Sequence, residues 1–404
     1  MIALDGAQRR VAAACGALAS ETVALEAAAG RVLAEQLGAS ADLVPFARSA
    51  MDGFAIRAED SRDAAVLPVR ERVYAGGAGA PAHAPGTATE IATGAPIPNG
   101  ADAVVRLEDV TRVNGAIHLH ARVATGTNVF GPGEDAHAGD MLLDAGRRLG
   151  AADAGLLAAA GYAHVVVFAR PRVAIVSTGD EIVAVDASPA YGQIRNSNAV
   201  VVAATVAAWG CDVVLQTHAA DEAAALRDAL ERALSVCDLL ITTGGASVGE
   251  RDLVKSLLRE LGCSYAFDRV ALRPAKPTAF GTRGAVRIAV LPGNPSSAFV
   301  ALHEVVRIAA LGLAGCAGDN RPPRVRATLA GGDIHGKAER TYAAYATVRT
   351  APSGFVATPL LNQCSALTRT ASDADGFIIV PPGRRDYVPG DAVDVDVVDW
   401  TNVS

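Results

Sequence analysis

Residues 242–252, Thr-Thr-Gly-Gly-Ala-Ser-Val-Gly-Glu-Arg-Asp, combine groups that could hold an anion beside a cation. An apolar run precedes this stretch and leucines at helical spacing follow it, so it is predicted to join a buried strand to a helix. Gly244 and Gly245 would let the backbone approach a ligand closely, and the free N–H groups of a helix start favour an anion. Glu250 and Asp252 add carboxylates, which suit a cation or a developing positive charge. The alternative is a glycine-rich turn capped by Asp252.

Three further carboxylates lie in predicted loops outside this stretch. Asp52 follows Arg48 and Ser49 in a loop that enters a strand, Asp135 follows a glycine-rich segment, and Glu181 ends the sequence Thr-Gly-Asp-Glu after a strand. Paired acids at a strand end suit a divalent cation or acid–base chemistry. Each of the three could instead be an ordinary turn residue, because Asp and Gly are common in turns.

Two more segments carry groups that could bind an anion. Residues 291–297, Leu-Pro-Gly-Asn-Pro-Ser-Ser, place a glycine, an asparagine and a helix start after another predicted strand. Arg269, Arg273 and Lys276 precede it, and three cations near one crevice would suit a phosphate or another oxyanion. Solvated surface charge is the alternative for these cations. The chain has no Walker motif and no G-x-G-x-x-G, which argues against ordinary nucleoside triphosphate and dinucleotide sites.

The elements that would position these loops alternate between strand and helix from residue 170 to 315. Apolar strands are predicted at 172–177, 212–217, 239–243 and 287–291, and Asn198 and Asp221 are candidate helix caps. Several polar loops that follow strands of one sheet point to a single crevice. This part of the chain is therefore predicted to be a doubly wound α/β domain.

Segments with a β pattern flank this domain. Residues 66–123 are rich in Val, Thr, Gly and Pro and predict an all-β module, and residues 324–398 predict a small barrel or sandwich. Residues 7–37 are rich in alanine and are predicted to be helical, with a break at Gly30. A further helix is predicted at 151–160, stopped by Gly161.

Composition restricts the class of protein. The chain has 404 residues, enough for roughly two to four domains, and 50% of its residues are apolar. The net charge is −7 and there is no Lys/Arg run, which argues against nucleic acid as a partner. The six scattered cysteines, without Cys-x-x-Cys, predict reduced thiols in a cytoplasmic protein. A signal peptide and an apolar stretch of about 18 residues are both absent, so no membrane partner is expected.

Six loops occur in a fixed order along the chain: residues 48–55, 93–105, 177–181, 192–198, 242–252 and 291–297. Together with a β-module before the α/β domain and a β-barrel after it, they closely resemble the MoeA-like molybdopterin molybdenumtransferases and the equivalent domain of gephyrin. The resemblance extends over essentially the whole chain. Any one loop is a weak signal, whereas six in this order are specific.

The resemblance implies a multidomain α/β fold. Its parts would be a doubly wound MogA-like α/β domain at residues 170–318, a preceding β-module at 44–135, a C-terminal β-barrel domain at 322–404, and a discontinuous helical linking domain at 1–43 and 136–169. It also implies an elongated homodimer, with the active site between the α/β domain of one subunit and the β-module of the other.

The activity that the resemblance implies is metal insertion. Adenylylated molybdopterin would be cleaved, AMP would leave, and molybdate would be inserted at the dithiolene to give molybdenum cofactor. A divalent cation, Mg²⁺, would take part, and other molybdenum cofactor biosynthesis proteins are further candidate partners. Two alternatives stay open: a molybdopterin adenylyltransferase, which shares the α/β domain, and a non-catalytic dimeric scaffold of the gephyrin type.

Site residues follow from the resemblance together with the loops. Those expected to be catalytic are Asp52, Thr93, Asp135, Glu181, Asp221 and Asp252, the last three also as metal ligands. Those expected to bind substrate are Gly244, Gly245, Ser247, Gly249, Glu250, Arg269, Arg273, Lys276, Pro292, Gly293, Asn294, Pro295 and Ser365. The acids would hold Mg²⁺ against the pyrophosphate, and cations and helix N-termini would hold phosphate and molybdate, which are both oxyanions.

One segment departs from the family pattern. MoeA-like proteins usually have Lys-Pro-Gly-Lys-Pro where this chain has Arg-Pro-Ala-Lys-Pro at residues 273–277, and a second family lysine falls on Arg269. Positive charge is retained, but arginine is a planar fork rather than a point charge, and Ala275 lacks the conformational freedom of glycine. These replacements are expected to affect substrate geometry or rate more than the class of reaction.

Overall fold

Two compact units make up the chain. The computed structural model describes residues 1–62, 64–77, 81–244, 253–336, 339–383, 386–401 and 403. The small unit comprises Gln36–Asp144 and Ala151–Ala163, and the main unit comprises Met1–Glu35, Ala145–Gly150 and His164–Ser404. The four domains expected from the sequence are a finer division than these two units.

The N-terminal segment of the main unit is only partly helical. It contains helix α1 (Leu4–Ala14), strand β1 (Ser20–Ala24) and one turn of 3₁₀ helix (Leu25–Ala27). Strand β1 pairs antiparallel with His164–Phe168. The helical prediction for residues 7–37 is therefore wrong beyond Ala14. The β-branched Thr22 and Val23 favour an extended backbone, and pairing with an apolar strand fixes it.

The small unit is built mainly of strands. Its elements are β2 (Leu37–Gly38), β3 (Arg48–Ser49), β4 (Gly53–Ile56), β5 (Val66–Val73), β6 (Ala88–Ile91), β7 (Ala103–Arg106), β8 (Val110–Val113), β9 (Ala116–Leu119), β10 (Val129–Phe130), β11 (Met141–Leu143), helix α2 (Ala151–Ala159) and 3₁₀ turns at Ala58–Asp60 and Leu107–Asp109. Six strands form one sheet in the order β7-β4-β6-β5-β9-β8. The sheet buries Phe54, Ile56 and Ile117, and the all-β prediction for residues 66–123 is confirmed.

The next part of the main unit alternates strands and helices. Its elements are β12 (His164–Phe168), β13 (Arg172–Thr178), β14 (Ile182–Val183), β15 (Ile194–Arg195), α3 (Ser197–Ala208), β16 (Asp212–Ala219), α4 (Ala223–Val236), β17 (Leu239–Thr243), α5 (Leu253–Glu260), β18 (Ser264–Phe267), β19 (Leu272–Arg273), β20 (Ala279–Arg283), β21 (Val286–Leu291), α6 (Pro295–Ala301), a π-helical segment (Leu302–Val306) and α7 (Arg307–Leu313). The central sheet has the order β16-β13-β17-β21-β20-β18, and its first four strands are parallel. Parallel strands are covered on both faces, which explains the unbroken apolar run of β13.

Helices cover both faces of this sheet. Helices α1, α3, α6 and α7 pack on one face with Ile175, and α4 and α5 pack on the other with Val176. From β13 the chain moves outwards to β16 and then crosses back to β17, so the winding direction reverses between β13 and β17. The predicted doubly wound α/β fold is confirmed, and open α/β sheets bind ligands at such a reversal.

The two predicted helix caps are both wrong. Helix α3 is capped by Asn196 rather than Asn198, and α4 begins without a side-chain cap after Asp221. Both polar side chains bond elsewhere. The Asn198 amide donates to the carbonyl oxygen of Gly293 at 2.7 Å, and the Asp221 carboxylate accepts a hydrogen bond from Thr178. Contacts of helix α3 with the loop after β21, and of the loop after β16 with the end of β13, therefore use these two side chains.

The C-terminal part of the main unit is a closed β-barrel. Its elements are β22 (Arg324–Leu329), β23 (Ile334–His335), β24 (Thr341–Ala351), β25 (Gly354–Pro359), α8 (Thr368–Ser372), β26 (Gly376–Val380), β27 (Asp386–Tyr387) and β28 (Ala392–Val397). Strands β24, β25, β22, β28 and β26 pair in that order, and β26 pairs back with β24. Ile378, Val393 and Val395 lie in its core. The barrel expected from the sequence is confirmed.

A long helix connects the α/β sheet to the barrel. Within the part of the chain that the structure describes, Pro295–Leu313 is the one helix whose length and hydropathy would suit a membrane span, and 83% of that apolar window is buried inside the protein. Burial of this kind is typical of a core helix.

A buried polar cluster joins this helix to the barrel. Glu304 of the π-helical segment is fully buried near Asp396 of β28, whose negative charge adds to the effect of burial and raises the pKa of the Glu304 carboxyl group. Asp396 accepts hydrogen bonds from Nε and Nη2 of Arg324 on β22, at 2.6 and 2.8 Å. From α1, Nε2 of Gln8 donates to Oε2 of Glu304 at 3.2 Å. Helix α1, the helix Pro295–Leu313 and the barrel therefore meet at the carboxyl groups of Glu304 and Asp396.

Candidate active site

A cavity of about 530 Å³ lies at the carboxyl ends of β13, β17 and β21, where the winding reverses. The loops after β13, β16, β17 and β21, the β14–β15 ribbon and Ala366 of the barrel part line it. Its volume is in the range of small-molecule and cofactor sites. Of the predicted site residues, it brings together Glu181, Asp221, Gly244, Pro292, Gly293, Asn294 and Pro295.

Hydrogen bonds tie the loop after β13 to the loop after β16. Oγ1 of Thr178 donates to Oδ1 of Asp221, and the backbone N–H of Asp221 donates to Oδ1 of Asp180 at 3.0 Å. Thr178 is buried, whereas Asp221 is exposed at the cavity. The position of the Asp221 carboxylate is thus fixed through both its side chain and its backbone.

Glu181 reaches the cavity because of the turn that precedes it. Gly179 has a φ of 140°, and a Cβ atom there would lie 2.6 Å from Oε2 of Glu181. Only glycine allows this turn without displacing the carboxylate. Nε2 of His218 lies 2.9 Å from the carbonyl oxygen of Gly179 and holds the turn. The Glu181 carboxylate forms no hydrogen bond with the described residues, which leaves its oxygens available to a ligand.

The loop after β21 brings a helix start to the cavity. Pro292 and Gly293 line the cavity, and Pro295 is the first residue of α6, where the missing N–H of proline removes no helical hydrogen bond. The carbonyl oxygen of Gly293 accepts from the amide of Asn198 at 2.7 Å, so α3 supports this loop. Pro295 has no N–H and that of Ser296 bonds to the carbonyl oxygen of Ser365, so the N–H of Ser297 is the first donor of this helix start that is left to favour an anion.

Ser365 joins this helix start from the barrel part. Its hydroxyl oxygen accepts from Nδ2 of Asn294 at 3.3 Å, and its carbonyl oxygen accepts from the backbone N–H of Ser296 at 3.0 Å. The hydroxyl of Tyr345 donates to the carbonyl oxygen of Ser296 at 2.6 Å. Residues of the barrel part therefore hold the first turn of α6 and complete the cavity beside Ala366.

Gly244 lets the backbone approach a neighbouring strand closely, whereas its predicted approach to a ligand stays a prediction. Its φ is 94°, and a Cβ atom there would lie 2.2 Å from the carbonyl oxygen of Thr178. A Cβ atom on Gly293 would lie 3.4 Å from the Cα of Gly244. Glycine is required because two strand ends pack directly on each other. Five other predicted residues of this loop lie outside the described residues: Gly245, Ser247, Gly249, Glu250 and Asp252.

The three predicted cations do not line this cavity. Arg273 lines a second cavity of about 320 Å³. Its guanidinium carbon lies 5.1 Å from the ring centre of Tyr342, because β19 pairs with β24 of the barrel. Arg269 lines another pocket, and Lys276 is exposed. Pro277, which follows Lys276, lines the first cavity, so one end of this segment reaches it. Grouping of the three cations at one crevice stays a prediction; within the described residues, the basic side chain that lines the first cavity is Arg195.

Asp52, Thr93 and Asp135 belong to the small unit. Oδ1 of Asp52 accepts from the backbone N–H of Thr93 at 2.7 Å and from its hydroxyl at 3.0 Å. These two bonds, the backbone one foremost, lower the pKa of Asp52 below its ordinary value. The structure brings Asp52 and Thr93 together because Gly53 pairs with Ile91 across β4 and β6. Asp135 is exposed, and no described contact joins it to the pair.

Three family models match most of the chain. The MoeA N-terminal region (domain I and II) matches residues 2–161, the family described as "Probable molybdopterin binding domain" matches residues 174–311, and the MoeA C-terminal region (domain IV) matches residues 327–398. A molybdopterin molybdenumtransferase of Bacillus subtilis (strain 168) is 36% identical over 417 residues, covering 100% of this chain and 95% of the relative. The chain belongs to the MoeA family.

Another relative and two solved structures agree with MoeA membership. A molybdopterin molybdenumtransferase of Haemophilus influenzae is 35% identical over 309 residues, 76% of either chain. The crystal structure of a molybdopterin biosynthesis MoeA protein from Pyrococcus horikoshii superposes with a TM-score of 0.80 at 30% identity, covering 99% of this chain and 100% of that one. A second structure, from P. horikoshii OT3, gives 0.84 at 26% identity over 98% and 100% of the two chains. The expected multidomain α/β fold is thereby confirmed.

Ala275 occupies the position at which the MoeA family usually has glycine. It is buried and has a φ of 90°, a backbone conformation that costs an alanine roughly 1–3 kcal/mol. The turn has thus kept the shape that suits glycine although the residue has changed.

The donor set of the cavity fits Mg²⁺. Glu181 and Asp221 both line it, and Asp252, the third predicted ligand, lies outside the described residues. Among the described residues, no group of three or more His, Cys, Asp or Glu side chains that could hold a metal ion is found. Mg²⁺ retains several waters and is commonly held by one or two carboxylates together with substrate phosphates. Two carboxylates at a cavity large enough for a phosphorylated small molecule meet that requirement.

Seven polar residues that line the cavity were not predicted as site residues: Ser177, Thr178, Arg195, Asn196, Ser197, Asn198 and Thr243. All lie in segments that carried the family resemblance. For Ser177, Thr178 and Thr243 the signal was their position at the end of an apolar strand, which is where an open α/β sheet binds its ligand.

Proposed function

We propose that this chain is a molybdopterin molybdenumtransferase, which inserts molybdate into adenylylated molybdopterin and releases AMP. The observation that carries the proposal is the cavity at the winding reversal, lined by Glu181, Asp221 and a helix start, in a chain that belongs to the MoeA family over its full length. A transferase of molybdenum cofactor biosynthesis is the activity for which its full-length relatives are named.

The cavity supplies donors and acceptors suited to a phosphorylated heterocycle. The helix start after Asn294 and the guanidinium group of Arg195 favour phosphate or molybdate oxygens. The amides of Asn196 and Asn198 line the same cavity and can orient neutral polar groups of a substrate. Substrate binding at Gly244, Pro292, Pro295 and Ser365 is proposed on the same grounds.

Mg²⁺ is the proposed divalent cation, with Glu181, Asp221 and Asp252 as its protein ligands. When bound, it would neutralise charge on the pyrophosphate that is cleaved. The protein must hold these carboxylates in place. At Asp221, the hydrogen bond donated by Thr178 and the one donated by the backbone N–H of Asp221 to Asp180 do so. Asp52, Thr93 and Asp135 are proposed as further catalytic residues.

The experiment that tests this function is AMP release. Purified protein is incubated with adenylylated molybdopterin and Mg²⁺, with and without molybdate, and AMP and molybdenum cofactor are measured. We expect AMP release that depends on molybdate. A molybdopterin adenylyltransferase would instead form adenylylated molybdopterin from molybdopterin and ATP. A non-catalytic scaffold would do neither, and either result would refute the proposed transferase.

A homodimer with residues of both subunits at each active site is proposed from the family resemblance. Asp52→Ala and Asp221→Ala proteins are each expected to be inactive, because each lacks a proposed catalytic carboxylate. Mixing them under conditions that exchange subunits should restore part of the AMP release, since one site of a mixed dimer would contain both acids. Proven exchange without recovered activity would exclude a shared site.

Arg273 is proposed, from the family resemblance, to hold a substrate oxyanion, although it lines the second cavity and not the first. If it does so, Arg273→Ala should raise the molybdate concentration for half-maximal AMP release by about 100-fold, the cost of a charge-assisted contact in a partly desolvated site. Arg273→Lys should keep much of the activity, because it preserves the charge and restores the residue usual in the family. AMP release is measured against molybdate concentration, with thermal melts alongside. Equal activity in all three proteins would limit Arg273 to its contact with Tyr342.

The compartment and the remaining partners are also proposals. All six cysteines are free thiols, as is usual for cytoplasmic proteins, so the cytoplasm is the proposed location. Other molybdenum cofactor biosynthesis proteins are the proposed partners, which would deliver adenylylated molybdopterin and accept the finished cofactor. No nucleic-acid or membrane partner is proposed.

A further inference from the structure

We propose that Thr178 is a positioning residue, whose hydroxyl group holds the Asp221 carboxylate in the orientation that binds the metal ion and substrate. The inference rests on the proposed function of the cavity. It assigns a role to a residue that the sequence did not predict as part of the site.

The register of the sheet explains why these two residues meet. Thr178 is the last residue of β13 and pairs with Ala219, the last residue of β16. Asp221 follows shortly after Ala219, so its side chain can return to the end of the neighbouring strand. Oγ1 of Thr178 donates to Oδ1 of Asp221. A hydroxyl group must be the donor in this pair, because an ionised carboxylate only accepts.

The donor of this hydrogen bond is buried, whereas its acceptor is exposed. Thr178 is only 3% exposed, whereas Asp221 is exposed at the cavity. Because Oδ1 of Asp221 accepts from Thr178, the bond leaves Oδ2 for a ligand. Asp180 accepts the backbone N–H of Asp221 at 3.0 Å, so the rest of the loop is held independently of the hydroxyl group. Removal of the hydroxyl group should therefore release the carboxylate without releasing the loop.

A matched control lies on the neighbouring strand. Thr242 of β17 is fully buried, and its Oγ1 has no hydrogen-bond partner among the described residues. Thr242 does not line the cavity, within the described part of the lining. Thr178→Val and Thr242→Val both replace a buried threonine by its isostere in one sheet. Only the first removes a bond to a cavity carboxylate.

The experiment measures binding of Mn²⁺, as a probe for Mg²⁺, by electron paramagnetic resonance. Thr178→Val is expected to weaken Mn²⁺ binding by about 10-fold, the lower end of the effect of groups that orient metal ligands. Thr178→Ser should restore most of the affinity because it retains the hydroxyl group, and Thr242→Val should bind as the wild type does. If the valine variant does not fold, Thr178→Ala compared with Thr178→Ser gives the same contrast.

A double variant separates positioning from general stability. If Thr178 acts through Asp221, adding Thr178→Val to Asp221→Ala should weaken Mn²⁺ binding no further. Additive losses, or a Thr178→Val protein with wild-type affinity, would overturn the inference. If Asp221→Ala itself binds Mn²⁺ normally, Asp221 is no ligand and the inference fails with it. Wild-type protein that binds Mn²⁺ but releases no AMP would refute the proposed function alone, because the binding contrast does not depend on turnover.

Discussion

Asp396→Ala is expected to lower the free energy of unfolding of the main unit by about 2–3 kcal/mol, the upper part of the cost of leaving a buried polar group without its partner. Asp396 is only 1% exposed and accepts two hydrogen bonds from the guanidinium group of Arg324. It is also the neighbour of the Glu304 carboxyl group. Truncation would leave the fully buried Glu304 carboxyl group without its neighbour, where water cannot replace it, whereas the Arg324 side chain is 47% exposed and can be hydrated.

The same strand contains the control. Asp394 of β28 pairs with Arg326 of β22 at 2.7 Å, but the two side chains are 43% and 64% exposed. Asp394→Ala should therefore cost at most about 1 kcal/mol. Urea unfolding of the two variants and the wild type measures both losses. Similar losses would mean that the burial of Asp396 adds nothing to the stability that its ion pair provides. The contact between the helix and the barrel would then depend on apolar side chains alone.

One helix connects the contact between Glu304 and Asp396 to the candidate active site. Glu304 lies in the helix Pro295–Leu313, whose first turn lines the cavity and is held by Ser365 and Tyr345. The barrel thus contacts the helix near both its N-terminus and its middle. AMP release by Asp396→Ala, measured where the variant is still folded, would show whether the distant contact affects the cavity.

The α/β domain was predictable because its strands are long apolar runs. Val173, Ala174, Ile175 and Val176 form such a run, which identifies a strand covered on both faces. The β1 strand was not predictable in the same way. Its segment is rich in alanine and other helix formers, and a strand distant in sequence, His164–Phe168, determines its conformation. Tertiary pairing overrides local propensity there.

The candidate site was predictable where it depends on strand ends. Glu181, Gly244 and Pro292 all follow strands whose carboxyl ends meet, and the structure brings them to one cavity. The positions of charged residues in the sequence did not predict the site equally well. Arg273 was expected at the same crevice, but its strand pairs with the barrel and places it in another cavity. The contact between Thr178 and Asp221 depends on strand register, which the sequence does not specify.

Glu304→Gln is expected to stabilise the protein increasingly as the pH rises. Burial raises the pKa of Glu304 well above its ordinary value, and the negative charge of Asp396 raises it further. Arg324 and Gln8 are the other polar groups facing it, from β22 and α1. Because its pKa is raised, we expect the folded protein to hold a proton on Glu304 that the unfolded chain releases above pH about 4.3.

The sign of the pH dependence follows from that proton. Because the folded state binds one proton more, the free energy of unfolding of the wild type falls by about 1.4 kcal/mol per pH unit, from the unfolded pKa up to the folded one. Glutamine is a neutral isostere with an N–H donor and has no such dependence. The stability difference between Glu304→Gln and the wild type should therefore be small near pH 4 and grow by about 1.4 kcal/mol per unit above pH 5.

Urea unfolding of both proteins from pH 5 to pH 9 measures this difference, with Glu260→Gln as the control. Glu260 carries the same charge, but its side chain is 53% exposed and pairs with Arg227 at the surface, so its replacement should leave the pH dependence of the wild type unchanged. If Glu304→Gln and the wild type lose stability in parallel as the pH rises, Glu304 is ionised in the folded protein. Its contact with Asp396 would then require a cation between the two carboxylates rather than a proton.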